Sequence, residues 1–165
     1  MADADLVQII ARNRGRDPMC YEKKYDEINI GDEFAPLIKK MTQDKINAYV
    51  STAEDYNPIH VDVEFARKTP FKGTIAPGFQ CMAYISELMA REFGMGWYVG
   101  GVLDLRLTRP VKPGDTLFTR AKVVEKIGGA DKKVIVCDVR ITNQNNEDVM
   151  VGTASADAAF PITDS

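Results

Sequence analysis

No run in this 165-residue sequence approaches the roughly 20 consecutive apolar residues that a bilayer-spanning helix needs. A helical membrane span is therefore not expected. The N-terminus lacks a basic-then-apolar leader pattern, so no export signal is expected either. Cysteine is sparse and odd in number, with Cys20, Cys81 and Cys137 widely spaced. That spacing fits neither a disulfide framework nor a zinc site, but suits free thiols in a reducing cytoplasm. An excess of basic charge is also missing. A formal net charge of −3 argues against a nucleic-acid binder. There is no glycine-rich phosphate loop, no dinucleotide fingerprint and no nucleophile elbow, so no cofactor and no metal is expected. Histidine is nearly absent: His60 is the only one. Any imidazole-dependent chemistry must use it.

His60 closes the string Asp55-Tyr56-Asn57-Pro58-Ile59-His60. Proline fixes its own φ and pushes the preceding residue out of the helical region. The bend can bring the Asp55 carboxylate and the His60 imidazole into one small space. Such a pair can hold a water, one group taking a proton while the other gives or relays one. Simpler readings stand beside this one. A lone histidine is commonly structural, Asn57-Pro58 is a common turn start, and Asp55 could merely cap a turn.

The surroundings read as one domain with a short extension. Residues 1–24 are polar and charged after a brief apolar patch, and form an N-terminal extension. The folded domain is expected over 25–165. Tyr25 to Glu33 reads as an opening strand or turn, punctuated by Gly31-Asp32. Ile46, Tyr49, Val50 and Ala53 share one helical face, so a helix is expected from the N-cap Thr42 to Ala53, ending just before Asp55. A short helix capped by Asp62 should follow His60. Gly78 to Phe93 is apolar around nearly its whole circumference, the mark of a buried helix. Downstream, Leu103, Leu105 and Leu107, and then Ile135, Cys137, Val139 and Ile141, alternate with more polar residues as half-covered antiparallel strands do. Thr116–Ile127 and Val149–Phe160 are two further strands, with turns at 112–115, 128–131 and 143–146. The expected class is α+β: an antiparallel sheet wrapped around a long central helix.

The string D-Y-N-P-I-H resembles the hydratase motif of the MaoC-like, (R)-specific enoyl-CoA hydratase family. The resemblance continues through Val61-Asp62, Phe65-Ala66 and Gly73-Thr74-Ile75-Ala76-Pro77-Gly78. It returns at Arg109-Pro110-Val111-Lys112-Pro113-Gly114-Asp115, and runs in all from about Tyr25 to Phe160. The first motif is specific, and the second is shared more loosely with other hotdog-fold proteins. The resemblance implies the hotdog fold, with Asp55 and His60 as the catalytic pair and the Gly78 N–H as oxyanion donor. It places Ser86 of the central helix in the pocket. Asn57, Pro77, Phe79 and Met82 join Ser86 as candidate substrate-binding residues. One departure is local: the family often carries histidine just before the helix glycine, where this chain has Pro77, which has no N–H to donate.

The chemistry implied is addition of water to a trans-2-enoyl thioester, or the reverse dehydration of a 3-hydroxyacyl thioester. The substrate would be an acyl-CoA or an acyl carrier thioester. Charge developing on the thioester oxygen needs a donor, and the unpaired N–H groups at the start of the 78–93 helix can supply one. Two alternatives stay open: a hotdog acyl-CoA thioesterase, or a non-catalytic acyl-thioester-binding partner subunit. A homodimer at least is expected, since the exposed edge of such a sheet tends to be paired and the resembling family joins two protomers through their sheets; the apolar face of the strand around Val99 to Leu107 is the interface candidate. Phe79, Met82, Met89, Trp97 and Tyr98 are bulky, and suggest a short-acyl preference unless they belong to the core.

Overall fold

The computed structural model describes residues 25–129 and 133–159. The expected 1–24 extension, the end of the 128–131 turn and Phe160 lie outside them. The chain opens with a short 3-10 turn, Tyr25–Glu27. Five strands follow: β1 (Leu37–Lys40), β2 (Val102–Leu107), β3 (Thr116–Gly128), β4 (Lys133–Thr142) and β5 (Asp148–Asp157). Five helices complete the order: α1 (Gln43–Ala53), α2 (Pro58–Val61), α3 (Val63–Lys68), α4 (Gly78–Phe93) and α5 (Met95–Gly100). The strands form one antiparallel sheet in the order β1-β3-β4-β5-β2, and α4 packs across β3, β4 and β5. This is the expected α+β arrangement.

Alternation in the sequence decides which sheet face meets α4. Leu117, Ala121 and Val123 on β3, Ile135, Cys137, Val139 and Ile141 on β4, and Ala154 and Ala156 on β5 are all buried. From the helix, Cys81, Ile85, Leu88, Met89 and Phe93 meet them in one core. Burying each such large apolar side chain contributes about 1.5–3 kcal/mol. The core therefore selects both the sheet register and the helix face.

One open alternative is settled and two expectations need correction. Tyr25 to Glu33, read as a strand or a turn, is built of turns, with one isolated bridge, Glu33 with Lys122. The first strand is β1, whose four residues follow Pro36 and are too few for a visible alternation. Next, the expected strand around Val99 begins only at Val102, because Met95–Gly100 is helical. That helix sits tightly on β5: a Cβ on Gly96 would lie 1.7 Å from the Asp157 carbonyl oxygen. Finally, α4 is not buried all round within one chain. Phe79 is 70% exposed, and Ala83 and Glu87 also face outward.

Glycine decides how closely β2 approaches its neighbour. A Cβ on Gly152 would lie 2.0 Å from the Asp104 carbonyl oxygen, across the β2–β5 ladder. Backbone cannot yield as a flexible side chain can. Gly152→Ala is expected to cost about 1–3 kcal/mol, the usual penalty for overpacking. Gly73→Ala is the control, since a Cβ there meets nothing within 4 Å. Denaturant titration of both variants checks this, and equal stability would contradict it.

Candidate functional site

Backbone geometry delivers Asp55 to the site. Glu54 ends α1 in a left-handed conformation at φ 54, and its N–H donates to the Val50 carbonyl. The Asp55 N–H donates to the same carbonyl at 3.1 Å. The chain thus turns sharply off the helix with the carboxylate at its end. Asn57 then caps α2: its Oδ1 accepts from the Ile59 N–H at 3.2 Å, and Pro58 takes the first helical position. Proline suits that position because its missing N–H would have no intrahelical partner. Asp62 caps α3 by accepting from the Phe65 N–H at 2.9 Å, as expected.

This double turn brings His60 Nε2 to 3.7 Å from Asp55 Oδ2. The distance is beyond a hydrogen bond. The reason lies on the other side of the ring, where Nδ1 is 2.8 Å from the Ile75 carbonyl oxygen. A carbonyl only accepts, so the neutral imidazole carries its proton on Nδ1. Nε2 then presents a lone pair, and the carboxylate beside it is also an acceptor. Two acceptors cannot bond to each other. His60 is 8% exposed, while the Asp55 side chain is about half-exposed.

The start of α4 forms the other side of the site. Its N-cap, Pro77, makes no side-chain capping bond. The Gln80 N–H is taken by the Pro77 carbonyl at 3.1 Å. The first N–H groups, at Gly78 and Phe79, have no intrahelical partner by the geometry of a helix start. The positive end of the helix dipole adds to their pull on an anion. Gly78 also lets the chain pass close to Leu107, whose Cδ2 would be 3.1 Å from an added Cβ. A groove of about 330 Å³ runs between these parts. Its lining includes His60, Phe71, Ile75, Gly78, Leu107 and Val111.

Of the sequence candidates, the structure brings His60 and Gly78 to the groove, and holds Asp55 3.7 Å from the His60 ring. Asn57 and Pro77 cap the two helices that carry His60 and Gly78 and do not themselves line the groove. The structure sets the others apart. Ser86 lies two turns further along α4, where its Oγ accepts from Trp97 Nε1 at 2.9 Å. Phe79, Met82 and Ser86 do not line the groove within one chain. Of the other bulky residues, Met89 and Trp97 belong to the core, and Tyr98 is 72% exposed. Sequence reasoning missed Phe71 and the Ile75 carbonyl. Phe71 lies outside the motif segments, and the 73–78 segment that contains Ile75 gave no role to a main-chain oxygen.

Comparison with known proteins identifies the arrangement. The family model described as "MaoC like domain" matches residues 28–145. The chain belongs to this MaoC-like family. It is similar to an (R)-specific enoyl-CoA hydratase of Aeromonas caviae, 30% identical over 122 residues, covering 73% of this chain and 88% of the relative. A mitochondrial 3-hydroxyacyl-acyl-carrier-protein dehydratase of Arabidopsis thaliana is 26% identical over 130 residues, covering 78% of this chain and 76% of that one. Among solved structures, the unliganded R-hydratase PhaJ1 of Pseudomonas aeruginosa superposes with a TM-score of 0.70 at 32% identity, covering 81% of this chain and 83% of that one. The MaoC-like chain thus has the hotdog fold, in a family that includes relatives named as hydratases and dehydratases. Among the described residues, no helix is long and apolar enough to cross a membrane, and no acidic, cysteine and histidine cluster could hold a metal.

Cys81 also lines the groove, but burial pushes its thiol up to about 12. Thiolate is the reactive form, so this cysteine is inert near neutral pH. Native protein is expected to leave Cys81 unmodified by iodoacetamide at neutral pH, and to alkylate it after unfolding. Peptide mass spectrometry distinguishes the two states, and rapid native labelling of Cys81 would contradict this account.

Proposed function

We propose that this MaoC-like chain adds water across the double bond of a trans-2-enoyl thioester, or removes it from the 3-hydroxyacyl product. One observation carries the reading. His60 Nε2 and Asp55 are two acceptors 3.7 Å apart, beside the uncapped start of α4. A water molecule can donate one hydrogen to each, and its oxygen lone pair is then aimed by both. Attack at Cβ forms the C–O bond and moves the π electrons toward the thioester oxygen. The Gly78 N–H stabilises that enolate oxygen, and the pair takes the proton lost by water. The pair then delivers that proton to Cα, the enolate collapses back to the thioester carbonyl, and the addition is complete. General acid–base catalysis of this kind contributes about 10²–10⁴-fold, and one oxyanion donor about 10²–10³-fold.

Asn57 serves this chemistry by holding the bend, and Pro77 by leaving the helix start uncapped. The names of the relatives support an acyl-CoA or acyl-carrier thioester as substrate. The Asn57-Pro58-Ile59-His60 turn is not needed to release a thiol, so hydration is favoured over thioester hydrolysis. The buried free thiol of Cys81 fits a reducing cytoplasm.

The active form we propose is a homodimer. Strand β2 pairs only with β5 among the described strands, which leaves its other edge open. Exposed Val99, Val102 and Leu107 lie along or beside this edge, and Phe79 and Tyr98 are exposed on the adjoining helices. Open edges with apolar neighbours are sites of pairing. Phe79, exposed on α4, and the half-buried Met82 and Ser86 further along it would then meet the acyl chain at the junction of two copies. Sedimentation should show a mass of at least twice 18.3 kDa at micromolar concentration. A single monomeric species would contradict the dimer.

The catalytic reading is tested with crotonyl-CoA, following hydration and thiol release side by side. The wild-type chain should hydrate without releasing thiol. Asp55→Asn and His60→Gln should each lower kcat by about 10²–10⁴-fold, with circular dichroism unchanged. Near-wild-type turnover in either folded variant removes the pair from the mechanism.

A further inference from the structure

Gln43 belongs to neither motif and does not line the groove, yet its amide joins the two segments that hold the histidine. It stands at the first position of α1. Its Nε2 donates to the His60 carbonyl oxygen at 2.9 Å and to Asn47 Oδ1 at 2.8 Å. Its Oε1 accepts from the Thr74 hydroxyl at 2.6 Å, and Thr74 is 6% exposed. The amide orientation follows from these partners. Exchanging oxygen and nitrogen would set an acceptor against the His60 carbonyl, which can only accept.

The consequence lies one residue along the chain. Thr74 precedes Ile75, whose carbonyl receives the His60 Nδ1 proton. The Ile75 N–H in turn donates to the Ile59 carbonyl at 3.3 Å. Gln43 therefore fixes the backbone of His60 and the backbone beside its ring acceptor with a single rigid plane. Without it, two buried or half-buried groups lose their partner, and the 57–60 turn is free to shift against the 74–76 segment.

We propose that Gln43 is a positioning residue that holds His60 in the tautomer protonated on Nδ1. This rests on the proposed hydration chemistry for its functional meaning. The tautomer matters because the alternative, favoured by free histidine, carries its proton on Nε2. That nitrogen would then donate toward Asp55 and close the gap in which water is to be held. Which nitrogen is protonated is set by the bond that the other makes, and Gln43 maintains the geometry of that bond.

The sole histidine makes the test direct. Isotope-labelled full-length chain, at a pH high enough for a neutral ring, gives one imidazole pattern in long-range proton–nitrogen NMR. The wild type should show the proton on Nδ1. Gln43→Ala should move a large share of it to Nε2, lower kcat for crotonyl-CoA on the order of 10-fold to 100-fold, and leave KM within about twofold. Gln43→Glu keeps the shape but sets a carboxylate oxygen against the His60 carbonyl, and should act in the same direction even if the alanine variant folds poorly. A tautomer shift in the Gln43 variants, beside a wild-type chain that does not hydrate crotonyl-CoA, upholds the positioning role and sinks the hydration reading. An unchanged Nδ1 tautomer in both folded variants overturns the proposal, whatever the activity.

Discussion

Helix α4 cannot expose Ile85, Leu88, Met89 and Phe93 to water, and the sheet is arranged to prevent it. All four are buried against β3, β4 and β5. The strands that supply the opposite half of this core point alternate residues inward, so one register satisfies every strand at once. The same packing fixes where α4 begins. Its first turn emerges beside the end of β2, with Leu107 against Gly78. The candidate oxyanion donors are thus placed by a hydrophobic requirement, not by any polar contact of their own.

The acid–base side is held by different means. There the controlling groups are short turns, whose backbone polar atoms must find partners locally. Glu54 in the left-handed region, the Asn57 cap and Pro58 at the helix start each remove a degree of freedom. Gln43 then links this turn to the strand-like segment before α4. The two halves of the site meet through the Ile75 carbonyl, which receives the imidazole proton three residues before Gly78. A hydrophobic helix and a hydrogen-bonded turn are in this way brought to one groove.

Much of this was readable in the sequence. Caps have local signatures, so Thr42 and Asp62 were found from residue type and position, and both cap as expected. Alternation located β2 and β4, and the turns around them bounded β3 and β5. It failed for β1, which has four residues at an edge, and it misplaced the segment before β2. Helix α5 forms there because Gly96 and Gly100 permit close contact with β5, a tertiary reason invisible in a window of neighbours. The apolar circumference of α4 implied burial on all sides, but one chain covers only part of it.

For the site, the chain by itself determined the chemistry available. One histidine, one nearby carboxylate, a proline-locked bend and a glycine opening an apolar helix follow directly from residue order. Sequence also supplied the family, because the motif residues are contiguous. Tertiary structure alone decided the state of the imidazole. Its proton position depends on a carbonyl 15 residues away and on an amide 17 residues away, and main-chain oxygens carry no signature in sequence. It also separated Ser86 from the groove, since a residue's distance from a site depends on which helix face the core selects and how many turns intervene.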